Sequence, residues 1–121
     1  MSTPSPRPAG PYTPVVRAGD LLICSGQLGL EGDRLVEGGV AAETTQAVAN
    51  VRALLASAGA SLGEVVKVTV YLADIGDFDA MNAAYAEAFG DHRPARTAVA
   101  VQALPRSARV EVEAWAFCPP R

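Results

Sequence analysis

The sequence predicts an α+β domain in which a sheet of about five strands is covered by helices on one face only. Three observations carry this. Two stretches, 41–58 and 78–89, repeat apolar residues at helical spacing. Several short runs alternate apolar and polar residues, so each is a strand with two unlike faces. The last of them, Ala108 to Phe117, sets Ala108, Val110, Val112, Ala114 and Ala116 on one side and Arg109, Glu111, Glu113, Trp115 and Phe117 on the other. Two helices cannot cover both faces of such a sheet. The charged and aromatic side, which also carries Lys67 and Tyr71, is therefore expected to meet solvent or another copy of the chain, and its aromatic anchors favour the copy.

A length of 121 residues allows one domain, 1–121, with a flexible arm over residues 1–10, where proline is too frequent for helix or central strand. Tyr12 to Val16 can dock as an edge strand ahead of the turn Ala18-Gly19-Asp20. Leu21 to Leu28 is the next strand, and Gly26 inside it permits a bulge or a close backbone approach. The Ser25 hydroxyl beside it can meet a ligand or be satisfied by neighbouring backbone. Gly29 to Gly39, with four glycines, is a loop or hairpin.

Residues 47, 48, 51, 54, 55 and 58 form the apolar stripe of the first helix, which Gly59 stops. Ser61 and Glu64 have the spacing of a capping box, and Val65 to Leu72 alternates as a strand. Asp77 can cap a second helix that carries Phe78, Met81, Tyr85, Ala88 and Phe89 on one side and ends at Gly90. The strand from Ala95 to Val101 and the final strand are joined by Ala103-Leu-Pro-Arg-Ser107, a short turn-like link that suggests an antiparallel pair. Folding it back brings Arg96 opposite roughly positions 111 to 114. A guanidinium beside a carboxylate is either a structural ion pair or a site for a small acid.

Composition excludes several classes. Half of the residues are hydrophobic and 19% are charged, which describes a globule. The net charge of −3 supplies no basic footprint for nucleic acid or for an anionic membrane. Apolar runs extend only a few residues, far below the roughly 18 needed to span a bilayer, so no membrane partner and a cytoplasmic location are expected. Cys24 and Cys118 read as reduced thiols, and the lone His92 as a loop residue. No spacing of ligands points to a metal.

Taken in order, Gly10-Pro11-Tyr12, Cys24-Ser25-Gly26-Gln27, Val66 to Tyr71, Met81-Asn82-Ala83-Ala84-Tyr85, Pro94-Ala95-Arg96-Thr97 and Val110-Glu111-Val112-Glu113-Ala114 resemble the RidA/YjgF/UK114 family of imine deaminases. The resemblance runs from about Gly10 to Phe117. It implies a chorismate-mutase-like mixed sheet with two helices packed on one face, a homotrimer, and ligand pockets between subunits. It further implies hydrolysis of 2-iminobutanoate and 2-iminopropanoate to 2-oxo acids and ammonia, without cofactor. On this resemblance Arg96 holds the substrate carboxylate, Glu111 is its acidic partner, and Tyr12, Ser25, Gly26, Asn82 and Ala98 complete the substrate site. Two departures stand out: the loop before Pro94 is a few residues shorter than in the family, and Ala98 stands where the best-known members have cysteine, so only backbone groups are offered there.

The residue types suit that chemistry. A guanidinium grips a carboxylate through two parallel hydrogen bonds, a fork that lysine lacks, and a glutamate can orient and partly deprotonate water. A non-catalytic trimer binding 2-oxo acids would use the same fork. A ribonuclease or translation inhibitor, also associated with the family, fits the acidic charge poorly.

Overall fold

The computed structural model describes residues 10–121, so the expected flexible arm lies, apart from Gly10, outside the described residues. Strands β1 (Val15–Ala18), β2 (Leu21–Leu28), β5 (Val65–Leu72), β6 (Ala95–Ala100) and β7 (Val110–Phe117) form one mixed sheet in the order β1-β2-β7-β5-β6. A small hairpin of β3 (Leu30–Glu31) and β4 (Arg34–Leu35) fills the glycine-rich stretch. Helices α1 (Gly39–Ser57) and α2 (Phe78–Phe89) pack side by side on one face.

The alternation in the strands decides which face that is. Val68, Val70, Leu72, Val110, Val112, Ala114 and Ala116 are fully buried beneath the helices, and α1 meets them with the stripe Ala47, Val48, Val51, Leu54 and Leu55. Each such Val or Leu removed from water stabilises the fold by about 1.5–3 kcal/mol before chain entropy is charged against it. Gly59, at a φ of 86°, takes the left-handed conformation that ends α1. The Ser61 N–H donates to Glu64 Oε1 as the capping box requires.

The opposite face is open. Val16, Ile23 and Trp115 stand in register across β1, β2 and β7, and Trp115 and Phe117 are 40% and 51% exposed. Lys67 Nζ donates to Thr97 Oγ1 on the same side.

Three expectations are corrected. First, β6 is not paired with β7. It runs parallel to β5, with Arg96 beside Val68, and β5 lies between β6 and β7. The helix between β5 and β6 is the crossover that a parallel pair needs. The link 101–109 passes the end of β5, where Val101 N–H donates to Leu72 O and Ala73 N–H to Arg109 O, instead of closing a hairpin. Arg96 is thus not opposite positions 111 to 114.

Second, Arg109 leaves the open face. It precedes the first residue of β7, its N–H donates to Glu43 Oε1 at 2.8 Å, and its guanidinium lies 4.0 Å from Glu43 and 3.9 Å from Asp77. Third, Asp77 makes no side-chain cap. Asp74 does the capping, accepting from Gly76 N–H at the start of the short turn before α2, while the Asp77 carboxylate faces Arg109.

Candidate active site

Four of the expected site residues meet in a cleft of about 380 Å³ on the open face, lined by Gly10, Tyr12, Ser25, Gly26, Leu28, Pro105 and Glu111. A bulge makes this cleft. Between the pairs Cys24–Ala114 and Gln27–Val112, two residues of β2, Ser25 and Gly26, oppose the single residue Glu113. The extra residue turns Leu28 toward the open face, in register with Glu111. Gly26 then passes so close to the Glu111 side chain that a Cβ on it would stand 2.8 Å from Glu111 Cδ. Glycine there leaves room for Glu111 to keep this position; a larger residue would push the side chain aside.

The Ser25 hydroxyl is satisfied by neighbouring backbone: Oγ donates to Thr13 O at 2.7 Å, and its N–H donates to Pro14 O. Those bonds hold the segment before β1, and with it Tyr12, against β2. Glu111 is half-buried, and burial first, then the charge of Glu113, raise its pKa above the ordinary carboxylate range. Tyr71, opposite Glu111 on β5, donates its hydroxyl to Glu113 Oε1, and mainly through that bond its own pKa is pushed up to about 12.

The remaining three lie elsewhere. Arg96 and Ala98 belong to the helix-covered side of β6, since they pair with the buried Val68 and Val70, whereas Glu111 pairs with Tyr71 on the other side. Arg96 sits at the rim of that side on a platform from α2, 4.8 Å from the centre of the Tyr85 ring and 5.8 Å from that of Phe78, with Met81 Sδ 3.8 Å from Nη1. Such a cation–π contact holds the guanidinium flat without neutralising it. Among the described residues no carboxylate lies within ion-pairing distance of it, so the structural ion pair is not what this arginine does. Asn82, on the same helix, keeps its buried Oδ1 without a hydrogen-bond partner among the described residues.

Within one chain the expected residues therefore form two groups, one on each side of the sheet: Tyr12, Ser25, Gly26 and Glu111 in the cleft, and Arg96, Asn82 and Ala98 at the α2–β6 edge. The sequence reading missed Gly10, Leu28 and Pro105 as cleft walls. It also took Phe78, Met81 and Tyr85 only as a core stripe; their i, i+3, i+7 spacing beside an arginine on the following strand was the available signal.

Other reactive groups are occupied. Cys24 and Cys118 are free and buried, and burial pushes the Cys24 thiol up to about 12, far from a nucleophile. His92 Nε2 is 2.7 Å from Val65 O. Among the described residues no group of His, Cys, Asp and Glu could hold a metal ion.

Fold and site define a class: a small α+β domain, two helices on a mixed sheet, with a carboxylate in a cleft on the open face and an unpaired guanidinium at the rim of the other. The family model described as endoribonuclease L-PSP matches residues 2–118, and the chain belongs to this family, the RidA/YjgF family. It is 45% identical over 114 residues to a 2-iminobutanoate/2-iminopropanoate deaminase of Bos taurus, covering 93% of this chain and 83% of that one. A RutC family protein of Pyrococcus horikoshii is 44% identical over 115 residues, 93% of this chain and 91% of its own. Among solved structures, the YjgF gene product of E. coli superposes with a TM-score of 0.88 at 36% identity, covering 96% of this chain and 95% of that chain.

Proposed function

We propose that this protein hydrolyses small reactive enamine/imine intermediates, 2-iminobutanoate and 2-iminopropanoate, to 2-oxo acids and ammonia. The observation that carries the reading is Arg96: a guanidinium held on an aromatic platform with no protein carboxylate to neutralise it is available for the carboxylate of a small acid. The deaminase named among the relatives supports the substrate.

The proposed chemistry is short. The Arg96 fork fixes the substrate carboxylate and hence the imine carbon. Glu111 takes a proton from water as the water oxygen bonds to the carbon of the protonated imine and the C=N pair moves onto nitrogen. The resulting carbinolamine receives that proton on its amino group. The C–N bond then breaks as the hydroxyl oxygen forms the carbonyl, and ammonia leaves with the last proton. Leu28 and Pro105 line the cleft with apolar surface suited to a short alkyl group.

This reading requires more than one copy, because Arg96 and Glu111 of one chain lie on opposite sides of its sheet. We infer a homotrimer, as the family resemblance implies, in which the Arg96 rim of one subunit faces the Glu111 cleft of the next. The apolar row on the open face is the surface such packing would cover. We infer a cytoplasmic location and no nucleic-acid or membrane partner; no helix is long and apolar enough to cross a membrane among the described residues.

The test generates 2-iminopropanoate with a dehydratase and follows its decay with and without this protein. Acceleration at micromolar protein is expected, and none would sink the enzymatic reading. Arg96→Ala should lower kcat/KM by roughly 10- to 100-fold, since a hydrogen bond to a charged group is worth about 1.5–3 kcal/mol, while the trimer sediments unchanged. Full activity in that variant would overturn the carboxylate clamp. The same Arg96 fork would serve one alternative, a trimer that only binds 2-oxo acids. Calorimetric binding of 2-oxobutanoate without turnover would select it. The ribonuclease described by the family model would instead require salt-sensitive RNA binding, against the net charge of −3.

A further inference from the structure

Glu113 has no part in the chemistry above, yet it is held in one place. Tyr71 pairs with Glu111 across β5 and β7, and its hydroxyl reaches along the strand to Glu113 Oε1. Two carboxylates two residues apart on one strand face repel and would otherwise turn apart into solvent. The Tyr71 hydroxyl keeps the second one beside the first.

Among the described residues of one chain no cation lines the cleft, and no ion pair reaches Glu113. Tyr12 is the other titratable group in the cleft, while β2 supplies Ser25, Gly26 and Leu28, and the link before β7 supplies Pro105. Arg109, the nearest cation in sequence, is directed to Glu43 and Asp77, and Lys67 donates to Thr97.

We propose that Glu113, fixed by the Tyr71 hydroxyl, is a positioning residue whose negative charge makes Glu111 a stronger base toward water, an inference that rests on the imine-hydrolysis reading. A base gains strength as its proton affinity approaches the working pH. Both burial and the Glu113 charge move Glu111 in that direction. Because Glu111 must be ionised to act, activity rises with pH through its titration, and removing the neighbouring charge moves that rise to lower pH.

The experiment follows the Glu111 carboxyl by 13C NMR in the full-length protein, assigned by its loss in Glu111→Gln. The pH profile of kcat/KM on 2-iminopropanoate is recorded alongside. Glu113→Gln, which can still accept from Tyr71, should lower the Glu111 midpoint and the rising limb together. Glu113→Asp should keep both near their original positions, and Tyr71→Phe should lower both by less. A loss of activity with no movement of the limb would mark Glu113 as merely structural and overturn the inference. Turnover with an unmoved midpoint would overturn this inference alone; a moved midpoint without turnover would overturn the imine reading alone.

Discussion

The two faces of the sheet are built from the same strands and do opposite work. Along β7, Val110, Val112, Ala114 and Ala116 are sealed under the helices, while Glu111, Glu113, Trp115 and Phe117 between them remain half-buried or exposed. Along β5 the alternation repeats with Val68, Val70 and Leu72 against Lys67, Thr69 and Tyr71. The difference teaches that parity in a strand can separate stability from chemistry. One set of residues holds the sheet to its helices, and the set interleaved with it is left free to carry charge. It also explains the divided site: Arg96 falls on the covered parity at the sheet's edge, where α2 ends its cover, and Glu111 falls on the open parity in the middle.

The sharpest way to break this comparison is to remove a covered-face side chain. Leu54 is buried on α1 among the sheet residues, so Leu54→Ala should destabilise by about 2–5 kcal/mol through lost transfer energy and the cavity left behind. Urea unfolding measures it. A cost no greater than that of an open-face substitution such as Phe117→Ala would mean the helices do not carry the fold.

A smaller effect, on the open face, tests the bulge. A methyl on Gly26 would press on the Glu111 side chain, and overpacking of this kind costs about 1–3 kcal/mol when neighbours cannot give way. Glu111 can swing aside, so Gly26→Ala should fall at the low end of that range in stability and lose most of its turnover. Turnover equal to that of the native protein would show that Glu111 does not need its observed position.

Much of this was legible in the sequence because it rests on local periodicity. The stripe of α1, the two-faced β5 and β7, the bulge at Gly26 and the one-sided cover all follow from spacing within single elements. What failed was long-range. Pairing of β6 with β7 was inferred from a short link, but β5, with both edges to satisfy, takes the position between them. The crossover through α2 makes β5 and β6 a parallel pair, whatever the length of the link to β7. The same error placed Arg96 beside Glu111 in one chain. Individual site residues could be named because a guanidinium and a carboxylate on strands are conspicuous; their distribution over two faces could not. Asp77 and Arg109 misled for a related reason: both sit one residue outside a regular element, where a cap or a facing assigned from the pattern gives way to whichever partner is near, here each other and Glu43.

The smallest expected effect concerns Glu111 itself and separates its cost to folding from its use. Its folded pKa is raised, by burial first and by Glu113 second, so the folded chain binds the Glu111 proton more tightly than the unfolded chain does. The sign follows: the folded state is favoured at low pH, that advantage declines as pH rises through the unfolded value of about 4.3, and it is gone above the folded one. At neutral pH the ionised side chain is therefore a burden on the fold. Glu111→Gln, similar in shape and without charge, should raise the urea midpoint slightly at pH 7, with the gain shrinking as pH falls through the folded value and gone below the unfolded one, where both proteins are uncharged at this position. An equal or lower midpoint at pH 7 would mean that the cleft stabilises the carboxylate, and that the open face, like the covered one, is arranged for stability.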